Sequence, residues 1–302
     1  EKSESFDWWG AITLGISLSS LVLVLDKGNE WGWFQLESLL CYAALLISLA
    51  LFIVIEHREK EPIVDLKFFS NSVFVNTILN NVVVFMGMIG GVFIIPVFAQ
   101  TFLGLTATQS GYLFMPMAFM MMVASPIGGL FSGKIEPRFI ISVSTLIASF
   151  GIFLFTYLDP RSGALDIIIP LSIMAFGMGF GMAQRTSIIT SVVPESEIGM
   201  ASSVLALARN IAGAFGIAVF GMILNTSIEN NLLSFSRGVK INGMDPNLYQ
   251  NAVSLLVVKS QIAAYVSVFK ISAAILLVGA GVALLMKIPK NKIQDKEVFV
   301  LD

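Results

Sequence analysis

Charge-free stretches cut this chain into segments of similar length. Between Lys67 and Lys134 run 66 consecutive residues without Asp, Glu, Lys or Arg. The helices of a water-soluble domain need a solvated, polar face, so such a domain does not leave that much chain uncharged. A hydrocarbon core about 30 Å thick takes ~20 apolar residues per helical crossing, so the stretch reads as two crossings joined by a short uncharged turn. The same reading along the whole chain predicts eight transmembrane helices. They are Trp8–Leu25, Ser38–Ile55, Val73–Ala99, Ser110–Phe131, Phe139–Leu158, Ile167–Gln184, Gly199–Ser227 with Arg209 inside it, and Ile262–Met286 with Lys270 inside it. These runs are continuously apolar rather than alternating, which favours helices over a β-barrel. The predicted class is an all-α membrane protein, a polytopic helix bundle.

Composition agrees. The chain is 56% hydrophobic and 13% charged, with a mean hydropathy of +0.85, against about one quarter charged in a typical soluble domain. A net charge of −2 and the lack of a basic, aromatic-interleaved patch point away from nucleic acid. The single cysteine, Cys41, has no partner for an internal disulfide, no Cys/His cluster has zinc spacing, and the only histidine, His57, falls in a charged linker. No metal and no cofactor is expected. The opening Glu1-Lys2-Ser3-Glu4-Ser5 does not read as a signal peptide, and a chain that starts with Glu1 is expected to be part of a longer protein.

Lys and Arg set the expected orientation. One set of loops holds Lys2, Arg58, Lys60, Lys67, Lys134, Arg138, Arg185, Lys287, Lys290, Lys292 and Lys296; the other holds Lys27, Arg161, Arg237, Lys240 and Lys259. The first set, with both chain ends, is predicted to be cytoplasmic. Trp8, Trp9, Trp31 and Trp33 stand at span ends as interfacial anchors do. The segment Glu56–Lys67 reads as a cytoplasmic linker. The stretch Ile228–Gln261 reads as a long outside loop with a turn at Asn242-Gly243-Met244-Asp245-Pro246 and a short surface helix over Tyr249–Val258.

The last six spans carry a faint internal symmetry. The first helix of one triplet holds Gly87, Gly90, Gly91 and Pro96; the first helix of the next holds Pro170, Gly177, Gly179 and Gly181. Gly/Pro-interrupted spans at matching places of internal repeats mark the substrate path of transporters. Close helix packing through Gly177-xxx-Gly181 and Gly129-xxx-Gly133 is the structural alternative.

Candidate chemistry is sparse. Arg209 lies inside a span and is a default functional candidate, with snorkelling to the interface as the alternative. Asn76, Asn80 and Asn81 are amides inside the third span, and Asn76 and Asn80 share a face at i, i+4. Gln100 and Gln184, at span ends, are read as interfacial, Lys270 as snorkelling and Asp26 as an interfacial helix end. Met115, Met117, Met120, Met121 and Met122 crowd the fourth span, and methionine suits both lipid contact and adaptable pockets. Gly87, Gly91, Pro96, Met117, Met121, Gly177 and Gly181 are the substrate-path candidates. An intramembrane enzyme would need paired acids, a Ser–His pair or a metal motif in the bilayer, and the sequence offers none. No phosphate-binding Gly-x-x-x-x-Gly-Lys-Ser/Thr loop occurs either, so transport would draw on a gradient.

The loop Gly128-Gly129-Leu130-Phe131-Ser132-Gly133-Lys134-Ile135-Glu136-Pro137-Arg138 resembles the cytoplasmic signature loop of the major facilitator superfamily, with Gly129, Lys134 and Arg138 as its marker residues. It departs from the usual pattern at Gly133, where an Asp is common, and at Glu136, where a Gly is common. Gln184-Arg185, Val193–Ser203 and Arg209-Asn210-Ile211-Ala212-Gly213-Ala214-Phe215-Gly216 resemble EmrB/QacA-type drug:proton antiporters, the 14-span branch of that superfamily. This resemblance implies two linking helices in residues 1–61 and a C-terminal six-helix transporter half in residues 62–302. It further implies a missing N-terminal six-helix half as partner, and proton-coupled multidrug efflux of small hydrophobic or cationic substrates across the bacterial plasma membrane. Export of a native metabolite, or an inactive truncated protein, stays open.

Overall fold

The computed structural model describes residues 7–59, 63, 66–237 and 246–286. Every regular element among them is helical. The elements are α1 (Trp8–Trp31), α2 (Leu36–Glu56), a 3-10 turn (Leu66–Ser70), α3 (Ser72–Phe102), α4 (Ala107–Tyr112), α5 (Met115–Leu130), α6 (Pro137–Leu154), a 3-10 turn (Phe155–Tyr157), α7 (Ala164–Ser191), a 3-10 turn (Glu195–Glu197), α8 (Ile198–Arg237) and α9 (Pro246–Leu285). Eight segments among the described residues are long and apolar enough to cross a membrane, and each overlaps one predicted span.

The boundaries follow local chemistry. The Asp7 carboxylate accepts the Gly10 N–H at 2.7 Å and caps α1. Asn71 caps α3 through the Val73 N–H at 2.9 Å, and a reciprocal Thr106–Gln109 capping box starts α4. The fourth span is not one helix, as the charge-free run suggested. It breaks after Tyr112 and resumes at Met115, because Pro116 lacks an N–H and its ring would clash with the carbonyl of Tyr112 in a continuous helix.

Two further expectations are corrected. The predicted outside loop Ile228–Gln261 is mostly helix. Both α8 and α9 run for 40 residues, about 60 Å at 1.5 Å per residue, well beyond one bilayer crossing. The Asn231 side chain donates to the Ser260 carbonyl at 3.4 Å and ties the two extensions together. Tyr249–Val258 is therefore part of α9 rather than a separate surface helix; of the predicted turn, Asn242–Asp245 lies outside the described residues and Pro246 opens α9. The span predicted to end at Gln184 also continues, because α7 reaches Ser191.

The last six spans pack in a crossed fashion. The first helix of the first triplet, α3, lies against α8 and α9; the first helix of the second, α7, lies against α5 and α6; and the two third helices, α6 and α9, meet each other. The main core sits where these seams converge. It contains Phe98, Ile152, Phe155, Met174 and Phe269, with Phe155 stacked on Phe269 at 5.2 Å. α1 packs on α2 and on α8, whereas α2 leans on α1 and buries only Ser38, Ser48, Phe52 and Glu56.

Candidate functional site

Glycine decides how closely these helices approach. A Cβ at Gly177 would come within 2.5 Å of the Ser144 carbonyl and the Ala148 nitrogen on α6. A Cβ at Gly87 would meet Ile275 at 2.9 Å, and one at Gly91 would strike the Ser272 hydroxyl, both on α9. The Ser272 hydroxyl donates to the Gly87 carbonyl at 2.6 Å. The four substrate-path glycines Gly87, Gly91, Gly177 and Gly181 are all buried at such seams, so the structure places them in helix packing. Pro96 is partly buried within α3, and Met117, Met120 and Met121 pack against the core while Met115 and Met122 face outward.

At one end of the bundle the seams enclose polar groups. On α3, Asn80 donates to the Gly279 carbonyl of α9 at 2.7 Å, and Asn81 donates to the Thr77 carbonyl at 3.1 Å. The Asn81 oxygen accepts from Nε of Arg209 on α8 at 3.3 Å, and the Arg209 guanidinium lies over the Phe85 ring, 5.2 Å from its centroid. On α7, Gln184 donates to the Gly128 carbonyl of α5 at 3.1 Å. The neighbouring Arg185 is only 1% exposed and donates from Nη2 to the Thr145 hydroxyl of α6 at 2.6 Å.

Arg185 is the residue that sequence reasoning missed. The charge-free criterion stops at the first charge, so it assigned Arg185 to a cytoplasmic loop and Gln184 to the interface. Both are buried inside α7 instead. The available signal was helical spacing: Arg185 follows Gly181 by four residues, and a side chain at Gly181 would collide with the Ser144 hydroxyl and approach Nη1 of Arg185 at 2.7 Å. Asn76, expected beside Asn80, is exposed, and Asn80 and Asn81 serve different helices.

The electrostatics of this cluster are one-sided. Arg185 and Arg209 are both cations, and neither forms an ion pair among the described residues. Nε and Nη1 of Arg185 and Nη2 of Arg209 are buried without a hydrogen-bond partner, as are the side-chain oxygens Oδ1 of Asn80 and Oε1 of Gln184. Burying an ion costs several kcal/mol and is normally offset by a counter-charge. A second monovalent cation about 6 Å from one guanidinium would be repelled by about 3 kcal/mol at an effective dielectric of about 20. No group of three or more His, Cys, Asp or Glu residues able to hold a metal occurs among the described residues.

The remaining candidates lie at the rim. Lys134 is exposed in the turn after α5, Gly129 has open space around it, and Gly133 takes a left-handed φ of 80°. Arg138 pairs with Glu136 at 2.6 Å and lies over Phe139. The tight glycine of this loop is Gly128, where a Cβ would strike the Phe180 carbonyl of α7. Lys270 and Gln100 are exposed on their helices, and Asp26 is exposed beside Lys27 at 4.0 Å.

The described residues form a crossed bundle of apolar, membrane-length helices with a few buried polar groups at the seams. The Major Facilitator Superfamily model matches residues 6–217, and the chain belongs to that superfamily. It is 32% identical over 231 residues to Multidrug transporter protein MdtP of Bacillus subtilis (strain 168), covering 76% of this chain and 42% of that protein. It is 28% identical to Quinolone resistance protein NorB of Staphylococcus aureus (strain MRSA252), covering 78% of this chain and 51% of that protein. It is 27% identical to the Tetracenomycin C resistance and export protein of Streptomyces glaucescens, covering 74% of this chain and 42% of that protein. The chain spans about half the length of the curated relatives it matches. In three dimensions it resembles a bacterial homolog of the human lysosomal transporter Spinster, in an inward-facing and occupied conformation. That likeness has a TM-score of 0.58 at 16% identity over 92% of this chain and 64% of that one; at such identity it shows the fold alone. The chain thus combines eight membrane-length helices with membership of a transporter superfamily.

Proposed function

We propose that residues 1–61 are the two linking helices, and residues 62–302 the C-terminal six-helix half, of a 14-span drug:proton antiporter of the EmrB/QacA type. It exports small hydrophobic compounds, cationic ones among them, across the bacterial cytoplasmic membrane, and inward proton flow drives the export. Both ends of the chain face the cytoplasm. Transport proceeds by rocking this half against an N-terminal six-helix half around a midplane site.

The observation that carries this reading is the crossed packing, in which α3 embraces α8 and α9 while α7 embraces α5 and α6. It joins the six helices into one wall, and the twofold-like exchange of triplets is the architecture on which alternating access is built. Two facts lend support: the chain spans about half of its relatives' length, and α2 contacts little besides α1. The acid that carries the proton is assigned to the other half, because the buried acids among the described residues stand at helix ends: Asp7 caps the start of α1 and Glu56 is the last residue of α2.

The test compares the full-length gene with this segment alone in a host stripped of its own efflux pumps, following ethidium fluorescence with and without an uncoupler. The full-length protein is expected to expel the dye, the uncoupler to stop it, and the segment alone to do nothing. Uncoupler-insensitive efflux contradicts proton coupling, and efflux by the segment alone contradicts its role as one half.

A further inference from the structure

We propose that Arg209, backed by the charge of Arg185, binds the anionic end of an organic anion or zwitterion: a carboxylate on an apolar body. The proposal rests on the transport reading above and names a substrate chemistry for this half of the protein.

Three observations carry it. First, the positive charge is built in. A guanidinium does not lose its proton in proteins, and two of them lie inside spans, on α7 and α8, joined by a short chain of contacts: Arg185 bonds Thr145, Thr145 lies beside Gly279, and Gly279 accepts from Asn80, the neighbour of the Asn81 that holds Arg209. Second, their partners are neutral. Arg185 bonds the Thr145 hydroxyl and Arg209 bonds the Asn81 amide oxygen. Three guanidinium nitrogens stay buried without an acceptor, two of them on a residue that is 1% exposed. On Arg209 the unused donor is Nη2, and a charged carboxylate oxygen is a stronger acceptor for it than a neutral amide or hydroxyl. Third, the setting suits an apolar body. Arg209 is half-buried, so a ligand reaches it first, and it lies against the face of Phe85. Arg185, enclosed by α6 and α7, supplies the second positive charge without direct contact. A purely cationic compound such as ethidium would meet repulsion at this point and would bind away from it, whereas a zwitterion could place its anionic end on this half and its cationic end elsewhere.

The test measures binding of three fluorescent probes of equal size to the purified full-length protein in detergent: pyrenebutyrate, its methyl ester, and pyrenylbutyl-trimethylammonium. The wild-type protein is expected to bind the carboxylate at least tenfold more tightly than the ester, and the ammonium more weakly than the ester. In Arg209→Gln the acid-to-ester ratio should fall to within about twofold; Arg209→Lys should keep part of it, and Arg185→Gln should give an intermediate value. Ester binding reports that each variant is folded, and the wild-type comparison needs no variant at all.

Equal binding of acid and ester by the wild type overturns the proposal, and would be the outcome if a carboxylate of the N-terminal half already neutralised the pair. A tenfold preference that survives Arg209→Gln also overturns it. Efflux of ethidium by a protein that does not distinguish acid from ester leaves the transport reading standing and removes this one. Acid selectivity without export of any dye does the reverse.

Discussion

α3 and α7 hold equivalent places in their triplets, yet they use them differently. Each is the glycine-bearing helix that lies against two helices of the opposite triplet, and each is about half buried. On α3 the buried polar groups are neutral amides. Asn80 binds the α9 backbone, and Asn81 holds its own helix and the Arg209 side chain. On α7 the corresponding end carries a cation, Arg185, with one neutral partner and two unpaired nitrogens. Shared packing shows what the scaffold needs, which is small residues at seams. The differing polar groups show what the scaffold does not need. A well-packed hydrophobic side chain would be cheaper than Arg185, and a group kept against its own stability cost is the mark of a functional one.

That contrast can be broken at the scaffold first. Gly177→Leu should have the largest effect: four extra carbons would be forced into the Ser144–Ala148 seam, where overpacking costs 1–3 kcal/mol or more. The expected outcome is loss of a monodisperse peak in detergent gel filtration. Next comes Arg185→Met, which replaces an unpaired buried charge with an apolar side chain of similar length. It is expected to raise thermal stability, by about 1–4 kcal/mol if it behaves like other buried ions, while export by the full-length protein falls at least tenfold. A clear loss of stability would mean that Arg185 is structurally paired in the complete protein.

Smaller effects separate the two asparagines. Asn81→Ala removes an acceptor from Arg209 and should cost about 1–3 kcal/mol, because it leaves a charged donor unsatisfied. Asn80→Ala removes a bond between neutral groups, and interhelical bonds of that kind in membranes average about 0.6 kcal/mol. Denaturation in mixed micelles should rank Asn81→Ala above Asn80→Ala; the reverse order would mean that the Asn81–Arg209 bond is not formed. Leu46→Ala on α2, 65% exposed, should change stability by no more than about 0.5 kcal/mol, because α2 is peripheral to the bundle.

The number of crossings was legible in the chain because the bilayer punishes charge so steeply that eight uncharged stretches stand out. Helix ends were less legible for the same reason. The charge criterion stopped at Arg185, although α7 continues past it, and it took the polar stretch after Ile228 for a loop, although water-exposed helix is polar too. The interior site was partly legible. Arg209, Asn80 and Asn81 announced themselves as polar residues within spans, whereas Arg185 hid at the edge of one. The glycines were ambiguous because a small residue has the same appearance in sequence whether it clears a path for substrate or admits a neighbouring helix. Helix contact becomes visible only in the atoms opposite them, Ile275 for Gly87, Ser272 for Gly91 and Ser144 for Gly177 and Gly181, which belong to helices far away in the chain.

The crossed arrangement of triplets is the claim on which the rest depends, and cysteine cross-linking in native membranes tests it most directly. In a Cys41→Ser background, Ile89→Cys with Gly213→Cys bridges α3 to α8, and Met121→Cys with Gly179→Cys bridges α5 to α7; both pairs are in contact in this structure. Rapid cross-linking of both pairs by a short thiol-specific reagent is the predicted result. Failure of both pairs in protein that is folded and membrane-inserted would contradict the account.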